Sequence, residues 1–254
     1  MRILLVNDDG INAPGLRTMY KHLEEAGHEI IVVAPETEKS ASSHSISLRR
    51  DIRARKVADK EWAIAGTPVD CIVIALQKIV QEPIDLVISG INAGQNMGED
   101  VLYSGTVAAA IEAAMLGQRA IALSVNAYEG QQFESAAAWA IKIIDKNIAD
   151  ILAPREVLNI NFPNLPFEEV KGVRLTNTGH RRYYNFITIT EEYDDGFDYR
   201  VQGSNPHWEL EPGTDSEAVE NGYISVTPLG FELTKPKSFP PILSWIESQG
   251  MLEF

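Results

Sequence analysis

The feature that most constrains this sequence is a set of short apolar runs separated by stretches with helical spacing. Ile3 to Val6 is a continuous apolar run, and Ile30 to Ala34, Ile84 to Ile88 and Ala120 to Val125 are apolar but for Asp85 and Ser124. Such runs suit strands buried on both faces, as in parallel sheets. Between the first two, Leu16, Met19, Tyr20 and Leu23 recur at i, i+3, i+4 and i+7, and Gly27 ends the pattern. Thr67-Pro68-Val69-Asp70 reads as a helix start, with a capping hydroxyl, a proline at the first helical position and an acid at the positive helix end. Val69, Ile72, Val73 and Leu76 continue that helix. Val107 to Leu116 is alanine-rich and strongly helical, with Gly117 as its cap, and a further helix is expected over Glu134–Lys146. The pattern predicts an α/β fold with a mostly parallel sheet and helices on both faces.

The texture changes near residue 170. Val173 to Thr176, Phe186 to Ile189, Tyr199 to Val201 and Tyr223 to Val226 read as strands, and Ile242, Trp245 and Ile246 mark a terminal helix. The expectation is one domain: an α/β core over 1–170 and a β-rich extension with a C-terminal helix over 171–254. Glu191 to Glu220 holds ten acids and Arg200 as its single base. That stretch reads as a solvated face, with a subunit contact as the alternative. Arg49 to Lys60 holds six bases and two acids and reads as a solvated hairpin.

Composition narrows the class of function. With 22 bases against 36 acids the formal charge is −14, which disfavours nucleic acid and anionic membranes as stable partners. Cys71 is the single cysteine, so no intrachain disulfide can form. No apolar run approaches the ~20 residues of a membrane-spanning helix. The first apolar run is short and meets Asp8-Asp9 at once, unlike a signal peptide. A cytoplasmic protein is expected.

In an open parallel sheet, ligands bind beyond the carboxyl ends of the strands. Three polar loops follow the first three strands: Asn7-Asp8-Asp9-Gly10, the serine loop from Pro35 with Ser40, and Ser89 to Asn96. All three should open on one sheet edge. Asp8 and Asp9 are adjacent carboxylates whose repulsion a divalent cation would relieve. The nearby donors are oxygens, from Ser40, Asn92, Asn96 and backbone carbonyls, which favours Mg²⁺ or Mn²⁺ over zinc. The same tetrapeptide also reads as a turn and helix cap. Ser104-Gly105-Thr106 precedes the alanine-rich helix and reads either as an anion site at a helix start or as an ordinary cap. The dinucleotide, Walker and serine-hydrolase fingerprints are absent. Cys71 reads as a buried structural thiol, His44 as a solvated side chain or a proton donor, and His180-Arg181-Arg182 as surface or as a contact for anions.

Taken in order, these segments resemble the SurE family of stationary-phase survival nucleotidases. The resemblance rests on Met1 to Gly10, Val33-Ala34-Pro35 with Ser40, Gly66 to Cys71, Ser89 to Gly94 and Tyr103 to Val107. Asn159 to Pro163 and Gly222 to Leu229 add to it. It implies a Rossmann-like core with a β-rich extension exchanged between subunits, giving homodimers or homotetramers. It also implies a metal-dependent phosphomonoesterase acting on nucleoside 5′-monophosphates, with 3′-monophosphates and short polyphosphate as further substrates. One divalent cation per subunit, Mg²⁺ or Mn²⁺, would be held by Asp8, Asp9, Ser40 and Asn92. Asp8 and Asp9 would be the catalytic residues, and Asn96, Ser104, Gly105 and Thr106 would bind the substrate phosphate. Gln95 stands where many relatives carry proline, and 179–212 is the least family-like stretch. Two rival readings stay open at this point: a nucleotide-sensing module without turnover, and an interaction protein working through its acidic extension.

Overall fold

The computed structural model describes residues 1–184, 187–201 and 204–251. In chain order the first half of the molecule runs β1 (Arg2–Val6), α1 (Pro14–Glu25), β2 (Glu29–Pro35), β3 (Ala54–Ala58), β4 (Glu61–Ile64), α2 (Pro68–Ile74), β5 (Leu86–Ala93) and α3 (Gly105–Met115). There follow β6 (Ala120–Val125), α4 (Phe133–Ile144), β7 (Glu156–Phe162), β8 (Val173–Leu175), β9 (His180–Tyr184) and β10 (Ile187–Tyr193). The chain closes with β11 (Gly196–Val201), β12 (Ser204–Glu209), α5 (Asp215–Glu220), β13 (Ile224–Gly230) and α6 (Phe239–Ser248).

Nine strands form one sheet in the order β3-β4-β2-β1-β5-β6-β7-β13-β8. The six from β4 to β7 are parallel, while β3 and β13 run antiparallel to β4 and β7. Ile3, Leu4, Leu5 and Val6 are fully buried because both sheet faces are covered. The odd positions Ile3 and Leu5 face one core with Leu16, Met19 and Ala137 of α1 and α4. The even positions Leu4 and Val6 face a second core with Ile72 and Ala110 of α2 and α3. The alanines of α3 let that helix lie close to the sheet, which is why a segment with so little side-chain volume is buried almost throughout.

The strand order reverses at β1, which lies between β2 and β5. At such a switch point the loops leaving the two central strands part in opposite directions and leave a crevice. Asp8 and Asp9 leave β1 there, and Asn92 lies at the end of β5. The start of α2 is tied to the serine loop by Asp70, which accepts from the Thr67 N–H at 2.8 Å, the Ser47 N–H at 2.9 Å and the Ser47 hydroxyl at 2.7 Å. Burial alone would raise the Asp70 carboxyl, but these donors hold it below its ordinary range.

The division at residue 170 needs correction. β8 and β13 lie beyond it in sequence yet belong to the central sheet, because β13 pairs along its whole length with β7. The true excursion is the pair of hairpins β9–β12 and β10–β11. Ile187, Ile189, Tyr193, Phe197, Tyr199 and Val201 of β10 and β11 are exposed, as are Phe239, Ile242 and Trp245 of α6. Phe186 and the side chains of Tyr183 and Tyr184 lie outside the described residues. The basic stretch before Glu61 is the hairpin expected: β3 is exposed at every position and turns through Asp59-Lys60 into β4. Among the described residues no helix is long and apolar enough to cross a membrane.

Candidate active site

Asn7 shapes the turn after β1: its side chain donates to the Gly10 carbonyl at 2.9 Å and accepts from the Gly10 N–H at 3.2 Å. This closure sets Asp8 and Asp9 at the sheet edge. The cap reading of the tetrapeptide fails, because Ala13 occupies the N-cap of α1. The serine loop is drawn to the same place by the Lys39 N–H, which donates to the Asp8 carbonyl at 2.7 Å.

Asp8 is 4% exposed. Its Oδ1 accepts from the Thr106 hydroxyl, and the backbone N–H groups of Gly105 and Thr106 also serve it. Burial raises the Asp8 carboxyl above its ordinary value, and these donors act against that rise. Asp9 accepts from the Ala93 N–H at 3.1 Å. Its carboxyl is pushed up to about 6, first by burial and then by the charge of Asp8. Two neighbouring acids that both resist ionisation form a site prepared for a positive charge.

The pair opens on a cavity of about 540 Å³ lined in part by Asp8, Ser40, Asn92, Gln95, Asn96, Ser104, Tyr103, Tyr128 and Arg181. A second cavity of about 560 Å³ adjoins it past Asp9, Glu38 and Ser40. Ser40 donates its hydroxyl hydrogen to Glu38 at 2.5 Å, so its lone pairs are left for another partner. Asn92 donates its amide to the Gly94 carbonyl at 2.8 Å, which leaves its side-chain oxygen available as an acceptor. The Ser42 hydroxyl is buried without a hydrogen-bond partner. It stands at the Asp8 corner, since a Cβ on Gly105 would lie 2.7 Å from Ser42 Oγ and 2.8 Å from Asp8 Oδ2. Glycine is required there by this close approach.

The structure therefore brings Asp8, Asp9, Ser40, Asn92, Asn96, Ser104, Gly105 and Thr106 to one corner. It changes the partners expected at the start of α3. The anion served by Gly105 and Thr106 is the carboxylate of Asp8, and the Thr106 hydroxyl is fully buried in that contact. Ser104 caps α3 by accepting from the Val107 N–H at 3.0 Å while lining the cavity. His44 pairs with Glu112 of α3 at 2.8 Å and does not line the cavity. Cys71 is buried, which pushes its thiol up and makes it inert. His180 and the Arg181 backbone engage Glu99, and the Arg181 side chain pairs with Asp100 at the cavity wall, so this segment is not simple surface.

Sequence reasoning missed Asn159 and Asn161 of β7. Both are fully buried. They donate to the Asn96 carbonyl at 2.7 and 3.0 Å, and Asn161 also accepts from the Asn96 N–H at 2.8 Å. The Asn96 side chain donates to Ser124 at 2.9 Å. Asn96 is thus fixed through its backbone and its side chain. The signal was two polar residues at period 2 within an otherwise apolar run. Glu38, Tyr128 and Asp100 carried no signal, since nothing in their spacing marks them.

Fold and site together define an α/β protein of doubly wound type with a carboxylate-floored cavity at its switch point. The family model for survival protein SurE matches residues 3–185. The 5′-nucleotidase SurE of Stenotrophomonas maltophilia (strain K279a) is 39% identical over 248 residues, covering 97% of this chain and 96% of that protein. The 5′-nucleotidase SurE of Haemophilus influenzae (strain PittGG) is 40% identical over 249 residues, covering 98% and 99%. The crystal structure of the SurE protein from Aquifex aeolicus superposes with a TM-score of 0.86 at 36% identity, covering 97% of this chain and 100% of that one. The chain belongs to the SurE family.

Proposed function

We propose that this chain is a 5′-nucleotidase, a metal-dependent phosphomonoesterase that hydrolyses nucleoside 5′-monophosphates to nucleoside and phosphate. The observation that carries the reading is the pair Asp8 and Asp9, both resisting ionisation, beside a nucleotide-sized cavity at the switch point. The curated relatives named 5′-nucleotidase cover nearly the whole chain and support it.

The donor set suits a hard divalent cation. Among the described residues no three His, Cys, Asp or Glu side chains are placed to hold one metal ion together. A cation would rely on two carboxylates and two neutral oxygens: Asp8, Asp9, Ser40 and Asn92. Mg²⁺ and Mn²⁺ accept such a set and keep water as well. When bound, the cation supplies Lewis acidity toward the phosphoryl oxygens and lowers the pKa of water. The chain's own residues do the positioning. Thr106 and the N–H groups of Gly105 and Thr106 orient Asp8, and the Ala93 N–H orients Asp9. Asn96 and Ser104 line the cavity as direct partners for phosphate oxygens, while Gly105 and Thr106 act through Asp8.

3′-Monophosphates are secondary substrates in this reading. Short polyphosphate is a poorer one, because further phosphates would meet Asp9 and Glu38 in the adjoining cavity. The exposed apolar residues of β10, β11 and α6 support a homodimer or homotetramer formed through the extension. The deciding experiment is phosphate release from AMP by the full chain, with chelator and then with added Mn²⁺ or Mg²⁺. Loss on chelation and recovery with metal are expected. Full activity in chelator with no residual metal would remove the metal assignment, and no release with either metal would remove the enzyme.

A further inference from the structure

We infer that Tyr128 is the specificity-determining residue for the nucleoside half of the substrate, stacking on the nucleobase. The inference rests on the nucleotidase reading and extends it to a residue that neither the mechanism nor the sequence motifs use.

Tyr128 lines both cavities that flank the Asp8–Asp9 corner. It is 65% exposed, yet it is held through both its ring and its backbone. Gly94, at φ +107°, lies against the ring: a Cβ there would stand 2.5 Å from Tyr128 Cε1. Gln95 lines the same cavity beside it. The Gln131 side chain donates to the Tyr128 carbonyl at 2.7 Å. A ring fixed on one side and open on the other is a preformed stacking surface, and little side-chain entropy is lost when a flat ligand settles on it.

The rest of the cavity fits a neutral, flat group beyond the phosphate. Tyr103, 60% exposed, lines the same cavity. Among the described lining residues Arg181 is the one cation, and it is paired with Asp100. Past the metal corner the walls therefore offer aromatic surface and a neutralised ion pair, not a track for further phosphates.

The test compares AMP with ribose 5-phosphate, which keeps the phosphate and the sugar but lacks the base. Full-length wild type, Tyr128→Ala and Tyr128→Phe are assayed with Mn²⁺ for kcat and KM on both. Stacking on one aromatic ring predicts a loss of about 5- to 150-fold in kcat/KM on AMP for Tyr128→Ala, carried mainly by KM. Ribose 5-phosphate should change less than twofold, and Tyr128→Phe should stay within a few-fold of wild type on both. Equal losses on the two substrates would make Tyr128 a support for the loop and overturn the inference, as would an unchanged KM for AMP. A wild type that hydrolyses ribose 5-phosphate but not AMP would overturn it and the nucleotidase reading, while leaving a phosphatase. A wild type inactive on both would overturn the enzyme reading itself.

Discussion

Removing the Asp9 carboxylate should make the metal-free protein more stable. Asp9 is pushed from its ordinary 3.8 to about 6 by burial and by Asp8. Above pH 6 the fold must therefore hold a charge that it disfavours. The shift corresponds to about 3 kcal/mol at pH 7.5, and screening at the open side of the cavity lowers this to about 1–3 kcal/mol. The sign follows from the direction. A carboxyl with a raised folded pKa destabilises the fold once it ionises, so the cost is absent below about pH 4, grows up to about pH 6 and stays level above. Asp9→Asn removes the charge and keeps an oxygen for the Ala93 N–H. In chelator at pH 7.5 its melting temperature should exceed that of wild type by about 2–10 °C, and the gain should vanish near pH 4. Saturating Mn²⁺ should raise the melting temperature of wild type and leave the variant unmoved. Thermal unfolding from pH 4 to 8, with and without metal, reads all of this. A variant less stable than wild type in chelator, or a gain that does not depend on pH, would refute the electrostatic reasoning.

Other outcomes follow from the same corner and from the extension. Thr106→Val removes the hydroxyl that serves Asp8 and keeps the shape. A hydrogen bond to a charged group is worth about 1.5–3 kcal/mol, so Mn²⁺ affinity measured by calorimetry should fall by roughly 10- to 150-fold, and turnover with it. Weakened phosphate inhibition with intact metal affinity would instead return Thr106 to a direct phosphate role. The full chain should run as at least a dimer in light scattering at micromolar concentration. Deletion of Tyr183–Tyr199 with a short linker should give a monomer or an aggregate.

The fold was legible wherever a strand is buried on both faces and consists of aliphatic residues. β1, β2 and β6 stand within a residue of their expected bounds for that reason. β7 was not read as a strand, because Asn159 and Asn161 resemble loop residues until Asn96 is placed beside them. The strand-end rule located Asp8, Asp9, Ser40 and Asn92. It could not say which anion fills the start of α3, because a helix end attracts a protein carboxylate by the same field that attracts phosphate. The boundary at 170 was drawn from a change in composition, whereas membership of a sheet is decided by pairing, and β13 pairs with a strand more than sixty residues earlier.

The stem of the excursion has its own consequence. The Asn177 N–H donates to the Gly213 carbonyl at 3.0 Å, and the Asp215 N–H donates to the Asn177 carbonyl at 2.8 Å. Asp215 then reaches from that stem to the Gly98 N–H at 2.9 Å and the Gly179 N–H at 2.8 Å. The chain thus leaves and re-enters the core through one closed gateway that is bolted to the loop carrying Asn96. What lies beyond the gateway, from His180 to Glu209, behaves as a cassette. It can change length or sequence without disturbing the strand register behind it, while Arg181 places its side chain on the cavity wall. An edit to this single insert would reshape one wall of the cavity, with the Asp8–Asp9 corner left untouched.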